Sequence, residues 1–535
     1  MRRHFLRAPR DHGAVVADPP LADAGALLTQ NRQLFDHSAP TIAGRPLPEL
    51  RRMARRETVA AAEAYLREAG EPLPPAAAVD SLLLAGHQPE LFHPGVWVKN
   101  FALHGLAQRF GRTPLNLIVD SDMVRSTAAR VPVRRTTPAS NGTTVALASV
   151  HFDWGNAEIP YEERAVHSEE IFREWGERTV TMMAEWGYTP LLKEFWPEVT
   201  RQARRTLLLG ERFAAARRHW ERRWGCHNLE VPMSRLCQTA AFAWFACHIL
   251  CDLPRFHAVH NQCLREYRQF YGIKSRHHPV AELTIEGDWW EAPFWGWRTG
   301  QQRRGRLLAR QRHDRIEVRQ GDEPWPTLPA SPDQAVPVWQ ALAATGHKAR
   351  TRALTTTLFA RLLLGDLFLH GIGGGKYDEL TDAIMLRFYD IESPEYLVLS
   401  ATLLLPLPVP EVTDEDWRRV RRTSRDFYWN PQRYFTDLSA YPAEVAALLE
   451  RKQQWINYQP KTATERRQRF EELRQVTAQL RPFLRARTET IREQLHQCLR
   501  LRKERAILQR RDYAFCLYPA EMLENFFRSF LMTPG

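Results

Sequence analysis

The feature that most constrains this chain is a pattern that occurs twice: a short apolar run, a glycine-bearing turn, and then a helix. It reads SLLLAGHQPELFHPGVWVKNFALHGLAQRFG in the first instance and DLFLHGIGGGKYDELTDAIMLRFYD in the second. Short runs of consecutive apolar residues, without alternation, suit strands that are buried on both faces of a parallel sheet. Leu82–Ala85 is such a run. Pro94 fits the first turn of the helix that follows, and Trp97, Phe101, Leu103 and Leu106 give that helix an apolar face. LNLIVDSDM then supplies a second strand, and YLVLSATLLLP a further one after the second glycine-rich turn. Strand, loop, helix and strand make a βαβ unit, and sheets built from such units bind ligands beyond the carboxyl ends of their strands. The expected class is α/β.

At roughly 100–200 residues per domain, 535 residues leave room for more than one domain. Residues 1–78 read as an N-terminal helical region, with helices over Ala22–Phe35 and Leu47–Ala69, closed by the boundary EPLPPAAAV. Residues 79–410 form the core, with an insertion at 140–340 and a loop expected over Gln301–Arg312. Residues 411–512 form a helical arm, and 513–535 a tail that packs on the core. With 44% hydrophobic and 25% charged residues, the chain is not wholly disordered. Its longest apolar stretches, Ala240–Leu250 and Leu397–Leu407, are shorter than the ~20 residues of a membrane helix. The basic start MRRHFLRAPRDHG has no apolar segment behind it, so no secretory signal is expected. A cytoplasmic protein with no membrane partner is the expectation.

Five of the seven cysteines, Cys226, Cys237, Cys247, Cys251 and Cys263, are interleaved with His227, His248, His257 and His260. Cys247 and Cys251 would share a helix face, as a zinc site requires. Against zinc, there is no CxxC pair, and AFAWFACHIL reads as a buried helix in which cysteine serves as a small apolar residue. No metal is expected.

The net charge of +12 is concentrated. Arg451–Arg511 carries 17 Lys or Arg against 6 Asp or Glu, which is +11. Phe470, Leu473, Leu480, Leu484, Ile491, Leu495 and Cys498 recur there at mostly helical steps, Thr462 and Glu465 form a capping box, and Pro482 divides the helix. Ala443–Tyr458 supplies a partner for an antiparallel arm. Such charges usually form a solvated face, and this reading is preferred to a phosphate-binding surface.

Candidate site residues collect at strand ends. Gly86, His87 and Gln88 stand where the first strand turns, with His93 and Lys99 following; there a glycine admits a ligand to the backbone, and His or Gln can bond its oxygens. Asp120 and Asp122 end the second strand and would point to one side if it continued, as a general base, an amine binder or Mg²⁺ ligands. Gly371, Gly373, Gly374 and Gly375 before Lys376 read as a loop of N–H donors for an anion, although no Walker motif is matched. Asn261, Tyr267, His277, His278 and Glu282, ahead of WWEAPFWGW, would line a pocket or cover an aromatic core.

LLLAGHQPELFHPGVWVKNFAL resembles the TGQQP-x-LFGGP…K segment of the bacillithiol-biosynthesis cysteine-adding enzymes. LIVDSDM is similar to their acid-bearing second strand, LFLHGIGGGKYDELTDAIMLRFYDI to their later glycine-rich segment, and CLYPAEML to their closing motif. Close resemblance covers about a third of the chain. It implies a Rossmann-like parallel-sheet core related to nucleotidyltransferases and class I synthetases, inserted segments, and a coiled-coil arm that forms a homodimer. The implied activity adds cysteine, or another amino acid, to the amine of a sugar-derived substrate. His87 stands where the family usually has Gln, His93-Pro94 replaces a Gly pair, and Val119-Asp120-Ser121-Asp122 lacks a His of the family's run. Gly375-Lys376-Tyr377 also departs from the family's pattern.

The sequence thus leaves three classes open: a carbon–nitrogen ligase, a nucleotidyltransferase-like enzyme without amide formation, and a non-catalytic nucleic-acid or assembly protein using the arm. The ligase is favoured, with Asp120, Asp122 and His87 as catalytic groups. Gly86, Gln88, His93, Lys99, Gly373, Gly374, Gly375, Lys376, Tyr377, Asn261 and His278 are the expected binding groups. The sequence fixes no cofactor; ATP or ADP with Mg²⁺ is the candidate. Small-molecule substrates and a second copy of the chain are the expected partners, and nucleic acid is not.

Overall fold

A computed structural model describes residues 6–36, 40–75, 78–137, 142–155, 158–301 and 303–531. Ala76 and Ala77 of the expected boundary lie outside them. The chain divides into two compact units. The larger comprises 1–131, 148–405 and 511–535, and the smaller 132–147 and 406–510.

The larger unit is mixed α/β, built on a six-stranded sheet. In chain order its strands are β1 (Val15–Asp18), β2 (Leu82–His87), β3 (Thr113–Ile118), β4 (Leu229–Pro232), β5 (Leu367–His370) and β6 (Leu397–Ala401), in the spatial order β1-β6-β5-β2-β3-β4. Strands β2 to β6 run parallel, and β1 pairs antiparallel at the edge. Two expectations are corrected here. The N-terminal region is not helical alone, because β1 completes the sheet; and the segment expected as an insertion contributes β4. The chain moves outward from β2 to β3 and β4, then returns to place β5 on the other side of β2. Strand order therefore reverses between β2 and β5, where a crevice opens at the carboxyl ends.

Helix α1 (Leu47–Glu68) anchors the start of β5, with Arg51, Arg55 and Ser81 all bonding Asp366. Helix α2 (Pro94–Arg109) is buried along most of its length. A Cβ at Gly95 would lie 2.1 Å from Ala401 O, so only glycine lets α2 sit this close to β6. Its far side meets helix α4 (Ala520–Leu531) through the stacked rings of Phe101 and Phe527, 4.3 Å apart. Between β5 and β6 runs helix α3 (Ile372–Tyr389).

A second, antiparallel sheet occupies residues 285–351, with Trp289–Arg298 central and paired to Gly305–Arg312 and His347–Thr351. The loop expected over Gln301–Arg312 is thus mostly a strand; its arginines pair with acids, as Arg310 does with Glu317. In the smaller unit, helices Ala443–Asn457 and Ala463–Leu480 pack around Val445, Val476 and Leu480, and helices Asp414–Trp429 and Arg485–Leu508 pack on each other. Pro482 sits in a 3-10 turn that separates the last two. No described helix is long and apolar enough to cross a membrane.

Candidate functional site

The crevice between β2 and β5 holds a cavity of about 640 Å³. Gly86 and His87 from β2, Leu117 from β3, His370 from β5 and Ser400 from β6 face it, as do the first turns of α2 and α3. Arg304, Trp295 and residues 351–358 close it from the second sheet and the helix after it.

Lys99 is the most informative side chain here. It projects from α2, is 3% exposed, and bonds Gly86 O at 2.9 Å. Among the described residues no carboxylate pairs with it, and burial alone pulls its pKa down to about 8. A buried ammonium without a counter-ion is costly, and one facing a cavity has the charge to pair with an anion there. The other ionised groups of the lining agree. Arg125 and Arg511 add positive charge, while Arg304 is paired with Asp122 and Arg352 with Glu291, and among the described residues Asp122 is the one acid of the wall. Arg511 donates to Ser400 Oγ and Ala401 O, and its Nε has no partner.

The histidines of the first turn are neutral. Burial and the nearby Lys99 hold His87 down to about 3, while its Nδ1–H donates to Gln88 O at 3.1 Å. Burial and Arg511 take His93 to about 4, and its Nδ1 caps α2 by accepting from Gly95 N at 3.0 Å. His87 therefore offers no positive charge to the cavity. Asp122 stays anionic despite partial burial, because Gln88 Nε2 (2.8 Å), Arg304 Nη2 (2.9 Å) and Met123 N (3.0 Å) all donate to it.

Asp120 does not join Asp122. Strand β3 ends at Ile118, and Asp120 N turns back to Ile118 O, so the alternation that would align the two acids has already stopped. Its carboxylate accepts from Ser234 and faces a separate cavity of about 520 Å³ with Glu162, Lys348 and Arg350. Burial, with Glu162 nearby, raises it to about 7. Since these two acids face different cavities, they do not fit as joint Mg²⁺ ligands. Among the described residues there is no group of three or more His, Cys, Asp or Glu able to hold a metal ion.

The glycine cluster is not a loop. Gly371 caps α3 with φ −81°, and Gly373, Gly374 and Gly375 form its first turn. A Cβ at Gly375 would lie 2.4 Å from Val398 Cγ2, which is why glycine is needed for packing there. Gly373, Gly374 and Tyr377 line the cavity, whereas Gly375 is buried beside β6 and Lys376 is exposed on the outer face of α3. Asn261 is also structural: it clasps Leu283 through both N and O of that residue, 2.9 Å each. His278 is exposed and away from the cavity. Of the expected residues, Gly86, His87, Gln88, His93, Lys99, Asp122, Gly373, Gly374 and Tyr377 share one cavity; Asp120, Gly375, Lys376, Asn261 and His278 do not.

Sequence reasoning missed Arg304, Arg352, Arg511 and His370, which also line it. His370 carried a legible signal, as the last residue of an apolar strand ahead of a glycine. The arginines come from distant segments that no local pattern connects. No family model matches the chain, and no curated protein matches it.

Proposed function

We propose that this chain is a ligase-type enzyme with a Rossmann-like core, one that adds cysteine or another amino acid to the amine of a small, anionic, sugar-derived substrate. The reaction class comes from the resemblance to the bacillithiol-biosynthesis cysteine-adding enzymes. The observation that carries the site is the buried, uncompensated Lys99 in a cavity at the reversal of strand order. Lys99, Arg511 and the first turn of α3 hold the carboxylates of the substrate, and anionic Asp122 holds an ammonium. The arm of the smaller unit is proposed as a coiled coil that forms a homodimer, with Phe470, 59% exposed, as its contact.

The test incubates the purified chain with cysteine, glucosaminyl-malate and ATP, then detects the amide product by mass spectrometry. Product from wild type and none from Lys99→Met supports the reading. Wild type that forms no product from any amino acid offered overturns it.

A further inference from the structure

We infer that His370, oriented by Asp378 at the rear of the cavity, is the base that takes a proton from the incoming amine; the inference rests on the ligase reading above. His370 ends β5 and is 4% exposed. Its Nε2 lies 2.9 Å from Asp378 Oδ2. Asp378, wholly buried in α3, is also 2.6 Å from Arg361 Nη1, and Arg361 reaches Asp382 at 2.7 Å. Arg361 keeps Asp378 anionic, well below the usual carboxylate range. Nε2 meets Oδ2 off the hydrogen-bond direction, so it is the charge of Asp378 that favours the tautomer with the proton on Nε2 and the lone pair on Nδ1.

That lone pair is open. A Cβ at position 374 would lie 2.9 Å from Nδ1, so the missing side chain of Gly374 uncovers it toward the cavity. Among the described residues nothing donates to Nδ1. Burial is the largest influence holding this imidazole neutral, Arg361 and Lys99 act in the same sense, and Asp378 opposes them. The Tyr396 ring packs edge-on at 5.0 Å.

An ammonium has no lone pair and must lose a proton before its nitrogen can bond to carbon. In the step assigned here, R–NH₃⁺ gives one proton to Nδ1. The amine keeps the electron pair of the broken N–H bond, and the imidazolium that forms lies against anionic Asp378. This is the orienting arrangement found between carboxylate and imidazole in acyl-transfer sites generally.

Diethyl pyrocarbonate tests the geometry without any turnover, since it acylates only an unprotonated ring nitrogen. Its reaction with the full chain is followed by peptide mass spectrometry at His370, beside N-acetylhistidine. For the free compound the rate falls about tenfold from pH 7.5 to 5.5, given an ordinary pKa of about 6.5. The rate at His370 is expected to fall less than that of the free compound over the same range, because burial holds its imidazole below the ordinary value. Gly374→Ala should slow it by covering Nδ1, and Asp378→Asn, which removes the one group that raises this imidazole, should leave the rate no more pH-dependent than in wild type; if Asp378→Asn does not fold, the glycine variant decides. No modification at His370, or a pH profile matching N-acetylhistidine, overturns the assignment. With a working ligation assay, His370→Gln should lower kcat by about 10²–10⁴. Full activity of that variant also overturns it. Wild type without amide product removes the ligase reading instead, and the carbethoxylation result then stands by itself as the measure of an exposed, neutral Nδ1.

Discussion

Replacing Lys99 with methionine should make the unliganded protein more stable while abolishing ligation. The stem of the side chain is retained in shape, and only the ammonium is lost. Burial lowers the pKa of Lys99 from 10.5 to about 8. At about 1.4 kcal/mol per tenfold change, that depression corresponds to roughly 3 kcal/mol of penalty on the folded state. Losing the hydrogen bond to Gly86 O offsets about 1.5 kcal/mol of the gain, so the variant should gain about 1–2 kcal/mol near neutral pH. The pH dependence gives a sharper check. Between about 8 and 10.5 the folded lysine has released its proton while the unfolded one retains it, so wild type gains stability as pH rises. The advantage of the variant should therefore be full below about pH 8 and gone by about pH 10.5. Urea unfolding followed by tryptophan fluorescence, at several pH values, measures this directly. A variant less stable than wild type near neutral pH, with a difference that does not change with pH, would refute the reasoning. Lys99 would then be a structural support rather than a site held at a cost.

Three further outcomes follow from the same geometry. Asp120→Asn should stabilise the protein by about 2 kcal/mol at and above about pH 7, roughly 4 kcal/mol of relieved burial less about 2 for the two weakened bonds from Ser234, with the gain fading toward about pH 3.8; urea titrations at both ends of the window check it. Ligation should survive that substitution, since Asp120 does not line the main cavity. Arg361→Met strands Asp378 and Asp382 without their cation and should cost about 3–5 kcal/mol, read as a lower denaturation midpoint. Light scattering should show the wild-type chain as a dimer and Phe470→Glu as a monomer; a monomeric wild type would end the assembly role of the arm.

Particular residues show what was legible in the sequence. The apolar runs of β2, β3, β5 and β6 were readable because strands buried on both faces have no alternation to lose. Strand β4 was not, since LEVP carries Glu230 into the core, where Arg217 and Arg218 neutralise it. Those partners are on another helix. Gly371–Gly375 looked like a loop because glycine disfavours helices; what selects it, the closeness of Val398 and His370, exists only in three dimensions. The expected alignment of Asp120 with Asp122 assumed a strand four residues longer than the one that forms. Lys99 was found from its place in a motif, but its lack of a counter-ion could be seen only once its surroundings were in view.

A crystal structure of the chain soaked with glucosaminyl-malate should place its carboxylates within hydrogen-bond distance of Lys99 Nζ and the first turn of α3, with its amine toward Asp122 and His370 Nδ1. Density for the ligand beside Asp120 in the second cavity, or an empty main cavity at saturating ligand, would contradict it.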